Sequence, residues 1–161
     1  TLIKMYDTSD AEIHIKITGY QWLWQYEYLN TDVSFYSKLS TPYKEIYNQK
    51  EKNINYLQEV DRKLVLPINK KIRFLLTSND VLHAWWVPDL ALKKDAIPGF
   101  INEMAVVIKE PGVYRGRCAE LCGRHHGFMP IVIEAVEQDQ YDQWLANGGK
   151  VESTDLASTE K

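Results

Sequence analysis

Hydrophobic residues that alternate with a period of two constrain this sequence more than any other feature. Residues 12–18 alternate strictly, so three isoleucines share one face of a predicted strand. Residues 71–76 repeat the pattern, and shorter β-prone runs follow at 104–108, 113–114 and 131–133. Proline, glycine and asparagine turn signals separate these runs. Many short strands joined by such turns predict an all-β fold, an antiparallel sandwich or barrel.

The length and the order of these patterns indicate one domain. The 161 residues are 45% apolar and 25% charged, which is a globular balance. We expect the core at about residues 11–137, interrupted by a polar surface excursion over residues 37–60. A short amphipathic C-terminal helix is predicted at about residues 138–147. Residues 150–161 have no apolar pattern and are predicted to be a disordered tail, so the predicted domain covers residues 1–149.

Charge and hydropathy exclude several classes of protein. The formal net charge of −3, from 19 basic and 22 acidic residues, offers no basic excess for phosphate, so we expect no nucleic-acid partner. The sequence contains no run of about 18 apolar residues, so no membrane span is predicted within it. Two cysteines are too few for a disulfide-rich scaffold.

The densest chemistry lies in residues 117–130, which read RCAELCGRHHGFMP. Cys118, Cys122, His126 and Met129 offer two thiols, an imidazole and a thioether within twelve positions. Thiolate and imidazole together favour copper, or zinc with less selectivity. The methionine favours copper, because zinc sites use cysteine, histidine and carboxylate ligands. The spacing of all four residues predicts a metal site.

The residues alone leave alternatives open at this loop. Cys118 and Cys122 could form a disulfide in an oxidising compartment, and a single histidine or methionine would be unremarkable. Four ligands could bind one copper, whereas two bridging thiolates could bind two coppers that each need an imidazole. Outside the loop, His14 lies on the polar face of a predicted strand and is expected to be solvated. His83 precedes the apolar run 84–88, so His83 is the better candidate.

The spacing Cys-x-Glu-x-Cys-Gly-x-x-His-x-x-Met at residues 118–129 resembles the binuclear copper A (CuA) loop of the cytochrome c oxidase subunit II family. The segments DVLHAW at 80–85, DAIPG at 95–99 and QWLWQYEY at 21–28 also resemble this family, and the resemblance runs from about residue 13 to about residue 136. It implies a cupredoxin-like Greek-key β-barrel or sandwich with a short C-terminal helix.

The resemblance also implies six ligand-bearing residues. They are Cys118 and Cys122 as bridges between two copper ions, His83 and Met129 on one copper, and His126 with the backbone carbonyl of Glu120 on the other. The side chain of Glu120 would bind magnesium only in the assembled complex. Filled coordination shells suit electron transfer and leave no open position for a substrate.

The function that the resemblance implies is electron transfer within a haem–copper cytochrome c oxidase, an oxidoreductase at the periplasmic face of the bacterial inner membrane. Electrons from cytochrome c would enter near Trp22, reach copper A and pass to the haem of the catalytic subunit I. The domain would be an electron carrier without substrate turnover of its own. Because this family normally carries membrane spans before this domain and the sequence has no apolar span, the resemblance implies a soluble fragment whose membrane segments are absent from this chain, which also suits the start at Thr1.

We have further expectations for the aromatic segment, for the docking acids and for His125. Trp24 and Tyr26 are predicted core residues of a strand. The candidate docking acids are Glu27, Asp32 and Asp80; because the acidic cluster is thin, docking is predicted to depend weakly on salt. His125, the additional histidine beside His126, is predicted to be exposed.

Three other functions fit parts of the pattern. A nitrous oxide reductase-like enzyme uses a similar copper A loop, but its large second domain has no counterpart in this sequence. A copper or zinc storage or delivery protein could use the same thiols at an exposed, exchangeable site. A redox-inactive adhesion module would hold the two cysteines as a disulfide. Quinol-oxidising relatives lose the copper ligands, which this sequence retains.

Overall fold

The computed structural model describes residues 8–150, which form ten β-strands and two α-helices. In chain order the strands are β1 (Ile13–Tyr20), β2 (Leu23–Tyr28), β3 (Ser34–Ser37), β4 (Leu64–Pro67), β5 (Lys71–Ser78), β6 (His83–Val87), β7 (Leu92–Ala96), β8 (Asn102–Val107), β9 (Gly112–Cys118) and β10 (Pro130–Val136). The helices are α1 (Tyr43–Ile46) and α2 (Gln138–Ala146). Residues 1–7 and all but the first residue of the predicted tail lie outside the described residues.

Two five-stranded sheets enclose the core of the described residues. One sheet has the strand order β3-β2-β1-β5-β8, and the other has the order β4-β10-β9-β6-β7. Alternate side chains of both sheets meet in one apolar cluster, to which Ile15 and Phe74 contribute from the first sheet and Trp85 and Ile133 from the second. The predicted all-β fold with a short C-terminal helix is confirmed.

The predicted antiparallel arrangement does not hold for two strand pairs. β1 pairs with β5 in parallel, and β4 pairs with β10 in parallel. Alternation determines which face of a strand is buried, but it does not determine the direction of the neighbouring strand. Between the two members of each pair the chain crosses to the other sheet, and such a long connection permits a parallel neighbour.

The aromatic strand β2 is a core strand, as its composition predicts. Trp24 and Tyr26 are buried, and the Tyr26 hydroxyl accepts a hydrogen bond from the Trp85 indole at 3.2 Å. This contact joins the two sheets. Alternation does not predict the four-residue strand β4, because all of its side chains are buried and a short continuous apolar run has no period.

The polar segment between β3 and β4 is a surface excursion, as predicted. A bridge between Leu39 and Val60 closes its base, and the short helix α1 lies within it. At the other end of the chain, a capping box of Glu137 and Gln140 starts α2, whose Tyr141 is buried. Neither helix of residues 8–150 has the length and apolar character needed to cross a membrane.

Gly116 makes the close contact of β9 with β6 possible, and this contact yields a prediction. A Cβ atom at Gly116 would lie 2.0 Å from the carbonyl oxygen of Trp86. Replacing glycine by alanine inside a strand ordinarily stabilises by about 0.5–1 kcal/mol. Here we expect Gly116→Ala to lower the free energy of unfolding by about 1–3 kcal/mol, because the two backbones must separate.

Urea unfolding of the metal-free protein measures this effect. Gly127→Ala is the matched control, since a Cβ there meets no atom within 4 Å. A Gly116→Ala protein as stable as the control would contradict the prediction.

Candidate metal centre

Two segments that are distant in sequence, the start of β6 and the stretch from the end of β9 into the following loop, bring the predicted ligands together at one end of the sandwich. His83 begins β6, Cys118 ends β9, and the loop from β9 to β10 carries the remaining residues. β6 and β9 are antiparallel neighbours, with Trp85 opposite Cys118. The start of β6 and the end of β9 therefore lie side by side, which places His83 next to Cys118.

The donor atoms of all six predicted ligand residues converge on the two thiols. The separations are 3.8 Å between the Sγ atoms of Cys118 and Cys122, 3.9 Å from Cys118 Sγ to His83 Nδ1, 3.5 Å from Cys122 Sγ to His126 Nδ1, 3.6 Å from Cys122 Sγ to Met129 Sδ, and 3.3 Å from Cys118 Sγ to the carbonyl oxygen of Glu120. Each thiol thus has an imidazole beside it, so two metals bridged by the sulfurs could each take one imidazole.

Most of this cluster is shielded from water. His83, Cys118, Cys122 and Met129 are each at most 4% exposed, whereas His126 is only half-buried. The two cysteines are not joined in a disulfide. Soft donors in a water-poor setting match copper better than a hard cation such as magnesium, which prefers oxygen ligands and water.

The two thiols differ in their electrostatic surroundings. Burial raises the pKa of Cys118, but the hydrogen bonds with His83, with the backbones of Ala84 and Glu120 and with Cys122 together leave the pKa below its ordinary value. Burial and the neighbouring Cys118 charge raise the pKa of Cys122 to about 12. Cys118 therefore ionises first, and Cys122 remains a thiol through the neutral range in the absence of metal.

Asp80 orients His83. The Nε2 atom of His83 donates to Asp80 Oδ1 at 2.9 Å, which leaves Nδ1 facing the thiols. The main-chain N–H groups of Gln21 and Val81 donate to the same carboxylate. Burial raises the pKa of Asp80, but these hydrogen bonds together lower it below its usual value. For His83, burial lowers the pKa, while the hydrogen bonds to Cys118 and Asp80 raise it above normal.

The other predicted docking acids lie away from this network. Glu27 on β2 forms an ion pair with Lys16 at 3.9 Å, and Asp32 is exposed in the turn before β3. Asp80 differs from both, because its carboxylate is engaged with His83. A docking role for these three acids stays a prediction.

Trp22 and His125 contact each other beside the loop. Trp22 is half-buried, and its Nε1 donates to the carbonyl oxygen of Cys122 at 3.3 Å. The prediction that His125 is exposed is wrong: His125 is half-buried, 4.6 Å from the Trp22 ring and 5.1 Å from the Phe128 ring. Three aromatic rings remove more surface from water together than separately, which explains the packing.

Two supporting residues were not found from the sequence. Gly19 lies against His83, where a Cβ would be 2.7 Å from the imidazole Cδ2, and Gln21 contacts both Asp80 and Cys122. Gly19 and Gln21 are about a hundred positions from Cys118 in the sequence, and no motif spacing connects them to the loop after β9. His14, expected to be solvated, is half-buried on β1 and is not part of the cluster that the described residues form around His83.

The fold and this cluster define a class: a cupredoxin-like domain with buried thiol, imidazole and thioether donors suited to copper. The profile of the family described as "Cytochrome C oxidase subunit II, periplasmic domain" matches residues 13–136. The chain belongs to this family. Copper binding is what the family implies, and the His83–Cys118–Cys122 group is compatible with a copper A site.

Curated relatives agree with this family. Cytochrome c oxidase subunit 2 of Metridium senile is 44% identical over 149 residues, which are 91% of this chain and 58% of the relative. Probable cytochrome c oxidase subunit 2 of Rickettsia bellii is 43% identical over 143 residues, or 88% of this chain and 51% of the relative. The chain thus spans between half and three-fifths of the length of these relatives.

Two solved structures share the fold. The periplasmic domain of subunit II of cytochrome oxidase (CoxB) of Bradyrhizobium japonicum aligns with a TM-score of 0.77 and 36% identity, covering 88% of this chain and 96% of that one. The second is a mixed disulfide between the thioredoxin-like protein TlpAs and subunit II of cytochrome c oxidase. It aligns with a TM-score of 0.72 and 35% identity, covering 89% of this chain and 94% of that one.

The contact between Asp80 and His83 predicts the effect of removing the carboxylate. We expect Asp80→Ala to weaken copper binding about 10- to 100-fold, because the imidazole loses the acceptor that orients it. Competition with a chelator measures the affinity. Asp89→Ala removes an exposed carboxylate just after β6 and is the control. Equal affinities of the two variants would contradict the orienting role.

The high pKa of Cys122 predicts that copper affinity rises with pH. Metal binds the thiolate, so below a pKa of about 12 the metal must displace the thiol proton. This thiol alone should tighten binding about tenfold per pH unit from pH 6 to 8. A pH indicator should report proton release when copper is added. An affinity independent of pH in this range would show that Cys122 does not bind as a thiolate.

Proposed function

We propose that this chain is the electron-transfer domain of a haem–copper cytochrome c oxidase and holds a binuclear copper A centre. The observation that carries the proposal is the pair of adjacent thiols, each with its own imidazole: His83 beside Cys118 and His126 beside Cys122. When bound, such a centre supplies a one-electron relay between cytochrome c and the haem of the catalytic subunit I.

The proposed ligands divide between the two coppers as the family implies. Cys118 and Cys122 would bridge both ions. The remaining donors would be His83 and Met129 on one copper, and His126 and the backbone carbonyl of Glu120 on the other. The pairing of β6 with β9 and the burial of four of these side chains hold the donors in place, so little rearrangement would accompany a change of charge.

Trp22 is the proposed point where electrons enter the domain. One hydrogen bond joins its indole to the backbone of Cys122, and His125 packs against its ring. The proposed donor is cytochrome c, which would dock near Trp22 with help from Glu27, Asp32 and Asp80. Since Lys16 already pairs with Glu27, the docking charge is small and the association should depend weakly on salt.

The proposed location is the periplasmic face of a bacterial inner membrane, attached to the catalytic subunit. The Glu120 side chain supports this assembly, because it is exposed on the loop between β9 and β10 that carries the proposed ligands. It could therefore bind magnesium together with groups from the catalytic subunit. The isolated domain would carry electrons and turn over no substrate itself.

A thioredoxin-like reductase is a further proposed partner. The relative captured as a mixed disulfide with TlpAs is 35% identical to this chain. The two thiols of this protein lie 3.8 Å apart, so without bound metal an external disulfide could oxidise them to a disulfide by exchange and be reduced to two thiols itself. A dithiol partner would return two electrons and two protons to Cys118 and Cys122, which restores the ligands.

The competing functions have less support. A delivery protein needs an accessible, exchangeable site, whereas four of the ligand side chains are at most 4% exposed. The family that matches residues 13–136 is the oxidase family, which favours the oxidase over a nitrous oxide reductase-like enzyme.

Copper loading tests the proposed function. We expect two coppers per chain and a purple mixed-valence species. An unpaired electron shared equally by two copper nuclei of spin three-halves gives seven hyperfine lines in electron paramagnetic resonance, whereas one copper gives four. Reduced cytochrome c should bleach this species. A single copper per chain with a four-line spectrum would overturn the proposal.

A further inference from the structure

Gln21 lies in the turn between β1 and β2, outside the segments that carry the proposed ligands. Its main-chain N–H donates to Asp80 Oδ2 at 2.7 Å, and its side-chain Nε2 donates to the carbonyl oxygen of Cys122 at 3.0 Å. The residue is exposed as a whole, so a solvated side chain would be the ordinary expectation. Its side-chain amide instead donates a hydrogen bond to the loop between β9 and β10, which carries the proposed ligands.

The main-chain bond acts on the half of the site that contains His83. Asp80 accepts from Gln21 through Oδ2 and from His83 Nε2 through Oδ1. The turn therefore holds the carboxylate that orients the imidazole. This connection does not depend on the side chain at position 21.

The side-chain bond acts on the other half. The carbonyl of Cys122 accepts from Gln21 Nε2 at 3.0 Å and from Trp22 Nε1 at 3.3 Å. Gly123 follows at a φ of +122°, and a Cβ there would lie 3.2 Å from both Gln21 Nε2 and Trp22 Cζ2. The glycine thus permits the close approach of the turn to the loop.

We propose that Gln21 is a positioning residue that links the two halves of the metal centre: its backbone supports His83 through Asp80, and its amide fixes the peptide plane of Cys122. This inference rests on the proposed function, since the position of Cys122 matters only if its sulfur binds metal. A fixed peptide plane restricts the direction of the Cα–Cβ bond and therefore the place of the Cys122 sulfur.

Gln21→Met tests the side-chain bond, because it keeps the length of the side chain and the main-chain N–H but removes the amide. Gln25→Met is the matched control: Gln25 lies on the adjacent strand β2 and its amide oxygen accepts from the Tyr20 hydroxyl, away from the loop. In the metal-free protein, the ¹³C shift of the Cys122 carbonyl reports whether the bond exists. Unchanged dispersion of the other amide signals shows that each variant is folded.

Metal release then reports whether the bond positions the sulfur. Co²⁺ is the probe, since its thiolate charge-transfer band disappears when a chelator removes it. One hydrogen bond corresponds to a change of about two- to tenfold, so we expect Gln21→Met to release Co²⁺ faster by that factor and Gln25→Met to match the wild type. Copper hyperfine splittings should change in Gln21→Met only.

The outcomes separate the two proposals. Equal release rates for Gln21→Met and the wild type, or an unchanged Cys122 carbonyl shift, would overturn the role of Gln21. A mononuclear copper spectrum in the wild type would overturn the proposed function, while the Co²⁺ comparison would still decide the role of Gln21. Because Trp22 and Gln21 bond to the same carbonyl, Gln21→Met combined with Trp22→Phe should deviate from additivity.

Discussion

The antiparallel pairing of β6 with β9 is the constraint on which the candidate metal centre depends. It sets Trp85 opposite Cys118, and so brings His83, 35 positions earlier in the chain, within 3.9 Å of the first thiol. Gly116 allows the two backbones this close approach. The loop after β9 can supply its own cysteine, histidine and methionine, but without this pairing the second imidazole would be missing.

Hydrogen bonds from neighbouring residues orient the ligand side chains that the fold brings together. Asp80 selects which nitrogen of His83 faces the sulfurs, and the turn at Gln21 and Trp22 holds Cys122 through its carbonyl. Burial excludes water, while the unequal pKa values of the two thiols follow from their separate neighbours. A site that exchanges electrons benefits from such support, because its geometry must hold in both charge states.

The sequence predicts features that depend on neighbouring residues better than contacts between residues far apart in the chain. The loop residues Cys118, Cys122, His126 and Met129 were found from spacing, since one short loop carries them all. His83 followed from the apolar run after it and from the family resemblance. The exposed state predicted for His125 was wrong, because its packing depends on Trp22, about a hundred positions away. The sequence also does not predict that β5 runs parallel to β1 and β10 parallel to β4.

The sequence by itself therefore determined the strand faces, the C-terminal helix, the family and the residues proposed as metal donors. These properties depend on period, composition and short-range spacing, which are local. Only the tertiary structure decided that β1 and β5 run in parallel, that Asp80 bonds to His83, and that Gln21 reaches Cys122. Those contacts join segments that share no periodic pattern, and they exist because two sheets close around one core.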